Sequence, residues 1–174
     1  MQKAKVLYCK RQTVAVIEGT RFTTQYNFFA EFETPKLSRE QMQDRLNKSH
    51  VLIIGLGGIG TWVAQGLALT GVEQFTLVDP DIVEPSNLNR QCLFTPQDIG
   101  ESKVETAAFK LSLINSSIQT CVLQKKILNK EACMEVAEGV HLIINCADEP
   151  STDTVNRIVT EAGYVCNIPH ILCG

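Results

Sequence analysis

Four consecutive apolar residues, Val51-Leu52-Ile53-Ile54, run directly into Gly55-Leu56-Gly57-Gly58-Ile59-Gly60. That order restricts the fold more than any other stretch of the chain. A short, unbroken apolar run is the mark of a strand covered on both faces. Glycines at its end let the backbone turn sharply into a helix. Such a turn gathers free N–H groups and the positive end of a helix dipole at one point, where an anion can be held. Taken alone, the pattern also suits a tight strand-to-helix turn that needs glycine only for packing.

The alternation continues along the chain. Gly58 to Thr70 reads as a helix, with Gly71 placed to end it in a left-handed cap. Phe75 to Asp79 is a second strand. Val104, Ala107, Ala108, Leu111 and Ile114 fall at helical spacing and give one apolar face. Ile118 to Leu123 is a third strand, and Asn129 to Glu138 a short helix between an asparagine cap and Gly139. Leu142 to Cys146 is a fourth strand, residues 151 to 162 a helix ended by Gly163, and Tyr164 to Leu172 opens a fifth strand. This order predicts an α/β fold with a Rossmann-like, doubly wound, mainly parallel sheet and a ligand at the carboxyl ends of its strands.

Residues 1–36 break the pattern. Lys5 to Cys9 and Thr13 to Ile17 read as a pair of strands, followed by an aromatic stretch from Phe22 to Phe32 and the stop Thr34-Pro35. Ser38-Arg39-Glu40-Gln41 has capping-box spacing, so a short helix to about Lys48 is expected. The reading is a 1–36 extension, serving as a peptide-binding or dimer arm, and a nucleotide-binding domain over 37–174.

Composition limits the partners. A net charge of -3 over 174 residues gives no electrostatic case for nucleic acid or a membrane surface. No apolar run approaches the roughly 18 residues of a membrane span. Seven scattered cysteines without a Cys-x-x-Cys argue for a reducing, cytoplasmic setting and against a zinc site within this chain.

Asp79 ends the second strand, the place for a carboxylate that accepts hydrogen bonds from ribose hydroxyls. A turn-initiating Asp before Pro80 is the plainer alternative, and to this point a nicotinamide dinucleotide fits equally well. Asn87-x-x-Arg90-Gln91 and Lys103 then shift the balance. Each cation by itself could be a solvated surface charge. Beside this glycine turn they suit a polyphosphate, which Arg grips bidentately and Lys meets as a point charge. Asp148 follows the fourth strand and faces the same crevice, where it could hold Mg²⁺ or simply open the helix that starts near Ser151.

In combination these residues resemble the E1-like activating enzymes, the family of the ThiF and MoeB adenylyltransferases and the ubiquitin-activating enzymes. The matches are Gly-x-Gly-Gly-x-Gly (55–60), Asp79-x-Asp81, Ser86-Asn87-Leu88-Asn89-Arg90-Gln91, Asp98-Ile99-Gly100-x-x-Lys103 and Cys146-Ala147-Asp148, together covering 51 to about 150. The resemblance implies binding of ATP and Mg²⁺ and adenylation of a carboxylate on a small protein or peptide, with release of pyrophosphate. It implies nucleotide contacts from Gly55, Gly57, Gly58, Gly60 and the Ser86–Gln91 string, with Asp79 on the ribose and Asp81 beside it. Arg90 and Lys103 would stabilise charge on the transferring α-phosphate and the leaving pyrophosphate, and Asp148 would hold the metal.

The family often carries Arg-Tyr-x-Arg-Gln near its N-terminus, whose second arginine reaches a partner protomer's ATP. Here Arg21-Phe22-Thr23-Thr24-Gln25 has threonine there, and Glu149 replaces the asparagine that usually follows the metal carboxylate. The chain stops before the family's later sheet and zinc cysteines, so a fragment, a split protein or a half that needs a homodimeric or complementary chain is expected. The N-terminal segment resembles the peptide-holding region of members that modify ribosomal peptides, of the microcin and pantocin kind. Of the cysteines, only Cys146 and Cys173, near strand ends, merit testing as acyl acceptors. Two other functions stay open: a non-catalytic scaffold half, which would be expected to lose Arg90, Lys103 and Asp148, and an NAD-dependent oxidoreductase, which would not need Asn87 to Lys103.

Overall fold

The computed structural model describes residues 20–173. The chain divides into two compact units, Met1–Gln43 and Asp44–Gly174. The two strands expected at 5–9 and 13–17 lie outside the described residues.

In the first unit, the aromatic stretch is helical. Helix α1 spans Thr23–Phe29 and runs into a 3₁₀ turn at Ala30–Phe32. Thr23 Oγ1 donates to the Thr20 carbonyl at 2.8 Å and so ties down the start. Phe28 lies 5.0 Å from Phe32 between ring centroids, the contact that a four-residue helical spacing produces. Helix α2 spans Arg39–Asn47. Its capping box forms as the sequence predicts: the Ser38 N–H donates to Gln41 Oε1 at 2.8 Å, and the Gln41 N–H to Ser38 Oγ at 3.3 Å.

The second unit is built on five strands: β1 His50–Ile54, β2 Gln74–Val78, β3 Gln119–Leu123, β4 Leu142–Asn145 and β5 His170–Leu172. Their order is β3-β2-β1-β4-β5 and every neighbouring pair is parallel. Four helices cover the sheet: α3 Gly58–Thr70, α4 Lys103–Ile114, α5 Lys130–Val136 and α6 Thr152–Cys166. The two-residue period of a strand divides the core. Val51 and Ile53 pack with Ala64 and Ala68 of α3 and Leu111 of α4. Leu52 and Ile54 pack with Cys133 of α5 and Val155 and Val159 of α6. Both faces are therefore buried, which is why β1 is apolar over Val51–Ile54 and β4 over Leu142–Ile144.

Local signals set most boundaries. Gly71 ends α3 in the left-handed region at φ 101°, and the Asn129 side chain caps α5 by accepting the Ala132 N–H at 2.8 Å. Helix α6 departs from expectation. It passes through Gly163 and stops at Asn167, which takes the left-handed cap at φ 54°. Gly163 lacks a side chain for a different reason, since a Cβ there would stand 2.6 Å from His170 Nδ1. The glycine makes room for the returning chain, and β5 consequently starts only at His170. Among the described residues no helix is long and apolar enough to cross a membrane.

The strand order reverses between β1 and β4, because β2 and β3 lie on one side of β1 and β4 and β5 on the other. In open parallel sheets a ligand crevice forms at such a point, outside the carboxyl ends of the strands.

Candidate functional site

Each glycine of the 55–60 turn meets a different environment. Gly55 has φ +89°, and a Cβ on it would stand 2.7 Å from the Ala147 nitrogen. It therefore serves close packing of the turn after β1 against the turn after β4. Gly60 is equally constrained, since a Cβ would collide with the Gly55 carbonyl. Gly57 is different: a Cβ there would meet nothing within 4 Å. At Gly58 the nearest atom is Arg90 Cδ, 3.3 Å away. Gly57 caps α3 with no side-chain hydrogen bond, so the first-turn N–H groups of a 13-residue helix open onto free space.

Asp79 is 4% exposed. One carboxylate oxygen accepts the Leu56 N–H at 2.6 Å and the other the Asp81 N–H at 2.9 Å. It thus locks the glycine turn to the segment after β2. That segment is zipped to the start of α4: the Lys103 N–H donates to the Asp81 carbonyl, and the Val83 N–H to the Glu101 carbonyl. The zip brings Lys103 Nζ to Asp81 Oδ2 at 2.9 Å, with the lysine side chain 7% exposed and the aspartate 57%.

Arg90 is held from several directions. Asn87 ends a 3₁₀ turn (Pro85–Asn87), and its carbonyl accepts the N–H groups of Arg90 and Gln91. Arg90 Nη1 donates to the Ser86 carbonyl at 2.8 Å and to Asn89 Oδ1 at 3.2 Å. The indole of Trp62, one turn along α3 from Gly58, donates to the Arg90 carbonyl at 3.2 Å. Gln91 is buried, and its Oε1 has no hydrogen-bond partner among the described residues.

These elements surround a cavity of about 860 Å³, within the size range of small-molecule sites. Of the residues singled out in the sequence, Gly55, Gly57, Gly58, Asp79, Asp81, Asn87, Arg90, Gln91, Lys103, Cys146 and Asp148 line it. Gly60, Ser86, Leu88 and Asn89 do not. Gly60 permits the turn, Ser86 and Asn89 anchor the Arg90 guanidinium, and Leu88 packs on the core.

Sequence reasoning missed Lys125, Lys126 and Glu84, which also line the cavity, as does Glu149, noted in the sequence only as a departure from the family pattern. Lys126 pairs with Glu149 at 2.6 Å. The two lysines lie just beyond β3, after Gln124, at the same carboxyl edge of the sheet as Asp79. The lining thus carries four cations (Arg90, Lys103, Lys125, Lys126) against five carboxylates (Asp79, Asp81, Glu84, Asp148, Glu149). Asp148 is exposed and, among the described residues, has neither a hydrogen bond nor an ion pair. No group of three or more His, Cys, Asp or Glu among the described residues is placed to hold a metal ion by protein donors alone.

Cys146 and Cys173 are adjacent free thiols. Burial, and next the nearby Cys173, push the Cys146 thiol well above the ordinary range. A protonated, half-buried thiol is a poor nucleophile.

Comparison with known proteins matches residues 23–171 to the ThiF family. The chain is 38% identical over 122 residues to the adenylyltransferase and sulfurtransferase MOCS3 of Mus musculus, covering 70% of this chain and 26% of that protein. It is 41% identical over 110 residues to the sulfur carrier protein ThiS adenylyltransferase of Escherichia coli, covering 63% and 43%. For the molybdopterin-synthase adenylyltransferase of Salmonella typhimurium the figures are 36% over 129 residues, 74% and 50%. The chain therefore spans between a quarter and half the length of these relatives. Among solved structures, E. coli MccB with AMPCPP and MccA superposes with a TM-score of 0.79 at 27% identity, covering 88% of this chain and 44% of that one. PaaA gives 0.78 at 27%, covering 95% and 50%. With its glycine turn, parallel sheet order and matched length, the chain belongs to the ThiF family.

Proposed function

We propose that the cavity binds ATP together with Mg²⁺, and that the chain forms the nucleotide-binding part of an enzyme that adenylates a carboxylate on a small protein or peptide. One observation carries the reading: the N-terminal turn of α3, Arg90, Lys103 and the unpaired Asp148 carboxylate converge on a single cavity.

In the proposed reaction a carboxylate oxygen attacks the α-phosphorus, the bond to the β-phosphate oxygen breaks, and pyrophosphate leaves with the bonding electrons. The N–H groups of α3 and the side chains of Arg90 and Lys103 hold phosphate oxygens and offset the charge that gathers on them. Lys103 keeps two N–H donors beyond the one given to Asp81. Asp79 retains acceptor capacity for a ribose hydroxyl. Asp148 would hold Mg²⁺, which supplies charge neutralisation across the phosphates. A single carboxylate completed by phosphate oxygens and water is an ordinary site for that ion, and the excess of carboxylates in the lining favours a divalent cation arriving with a polyanion.

The relatives named for ThiS and molybdopterin synthase, and the MccB–MccA complex, support a small protein or peptide as the carboxylate donor. The N-terminal segment is read as a peptide-binding or dimer arm, and the likeness to MccB, solved with MccA, is in keeping with the first of these. A homodimeric assembly in the cytoplasm completes the proposal. Calorimetric titration with ATP and Mg²⁺, set against NAD⁺, tests it: ATP should bind with a requirement for Asp148, and tighter binding of NAD⁺ would overturn the nucleotide assignment.

A further inference from the structure

Lys126 and Glu149 come from strands that are not neighbours. Lys126 follows β3 and Glu149 follows β4, and β2 and β1 lie between these strands in the sheet. Three strand spacings separate their origins, about 14 Å, yet Nζ and Oε2 are 2.6 Å apart. Both residues line the cavity. Their contact therefore passes over the carboxyl ends of β2 and β1, above Asp79 and the glycine turn.

The contact is easily exchanged. The side chains are 49% and 70% exposed, and an ion pair so open to water is weak. Its partners differ in what a polyanion does to them. Phosphate oxygens compete for the Lys126 ammonium with strong charge-assisted bonds, while the Glu149 carboxylate is repelled. Lys126 also lies within the field of Asp81, the partner of Lys103, so a shift of Lys126 inward keeps it among favourable charges.

We propose that Lys126 and Glu149 form a strap across the mouth of the cavity, and that Lys126 is a phosphate-binding residue which exchanges Glu149 for the nucleotide. The proposal rests on the nucleotide reading of the site and adds a residue and a gate to it. Glu149 then acts as a competitor for Lys126, which fixes opposite signs for the two side chains.

The test is calorimetric binding of ATP with Mg²⁺, and of adenosine as the uncharged probe, to the wild-type chain, Lys126→Ala, Glu149→Gln and the double variant at fixed ionic strength. Lys126→Ala should weaken ATP by about tenfold and leave adenosine unchanged. Glu149→Gln should tighten ATP by about two- to fivefold, and the double variant should resemble Lys126→Ala. Equal losses for ATP and adenosine in Lys126→Ala, or weaker ATP binding in Glu149→Gln, would overturn the strap. Wild-type binding of ATP with no change in any variant would overturn it alone, whereas failure of the wild type to bind ATP would overturn the nucleotide reading itself.

Discussion

Lys103 Nζ meets Asp81 Oδ2 at 2.9 Å with the lysine side chain almost wholly buried, so the ammonium enters the cavity in a fixed direction. Pairing limits the entropy that a long side chain would otherwise lose on meeting a phosphate. Lys103→Ala should reduce ATP–pyrophosphate exchange by roughly 10²–10³-fold with the circular dichroism spectrum unchanged. Asp81→Asn keeps the cation but loosens its aim and should cost less. Near-normal exchange in Lys103→Ala would remove the lysine from the chemistry.

The glycines separate packing from ligand access. Gly57→Ala adds a methyl group to open space and should cost less than about 1 kcal/mol in stability, while weakening ATP by obstructing approach to α3. Gly60→Ala places its methyl against the Gly55 carbonyl and should lose about 1–3 kcal/mol or more. Thermal unfolding read beside an ATP titration distinguishes the two; equal loss of stability in both variants would contradict the assignment.

Trp62 is the single tryptophan of the chain, and its indole N–H holds the Arg90 carbonyl. Its emission should change when a nucleotide draws on the Arg90 loop, in the wild type but not in Arg90→Ala. Trp62→Phe retains the ring and loses the donor, so ATP affinity should fall about two- to tenfold. An emission insensitive to saturating ATP would dissociate Trp62 from the site.

The cysteines should label in the order of their exposure. Burial, assisted by Cys166, pushes the Cys133 thiol up to about 11, so at pH 8 about one in a thousand is thiolate. Cys146 is raised in the same direction by burial and Cys173. Iodoacetamide at pH 8, followed by peptide mass spectrometry, should modify exposed Cys121 well before either. Raising the pH toward 11 should speed the reaction of Cys133, because only the deprotonated form attacks. Fast labelling of Cys146 at pH 8 would restore it as a candidate acyl acceptor.

How much of this was legible in the sequence depends on the range of the interaction. Helix α3 and its cap follow from Gly58, Thr70 and Gly71, whose effects are local. The apolar runs of β1 and β4 disclose that both faces are covered. Gly163 misleads because its reason is a contact with His170, seven positions on and in another element. The Ser86–Gln91 string was recognisable as a unit, but its division into lining residues (Asn87, Arg90, Gln91) and anchoring ones (Ser86, Asn89) depends on the path of the turn. Lys126 stayed hidden because its partner, Glu149, is brought near only by the strand order.

The central claim is activation of a carboxylate by ATP, and isotope exchange between pyrophosphate and ATP measures it most directly. The full chain, with ATP, Mg²⁺ and a peptide or small protein ending in a free carboxylate, should incorporate labelled pyrophosphate into ATP. It should not do so with the C-terminally amidated peptide or in Lys103→Ala. Absence of exchange across carboxylate donors and supplied partner chains, together with tight binding of NAD⁺, would contradict it.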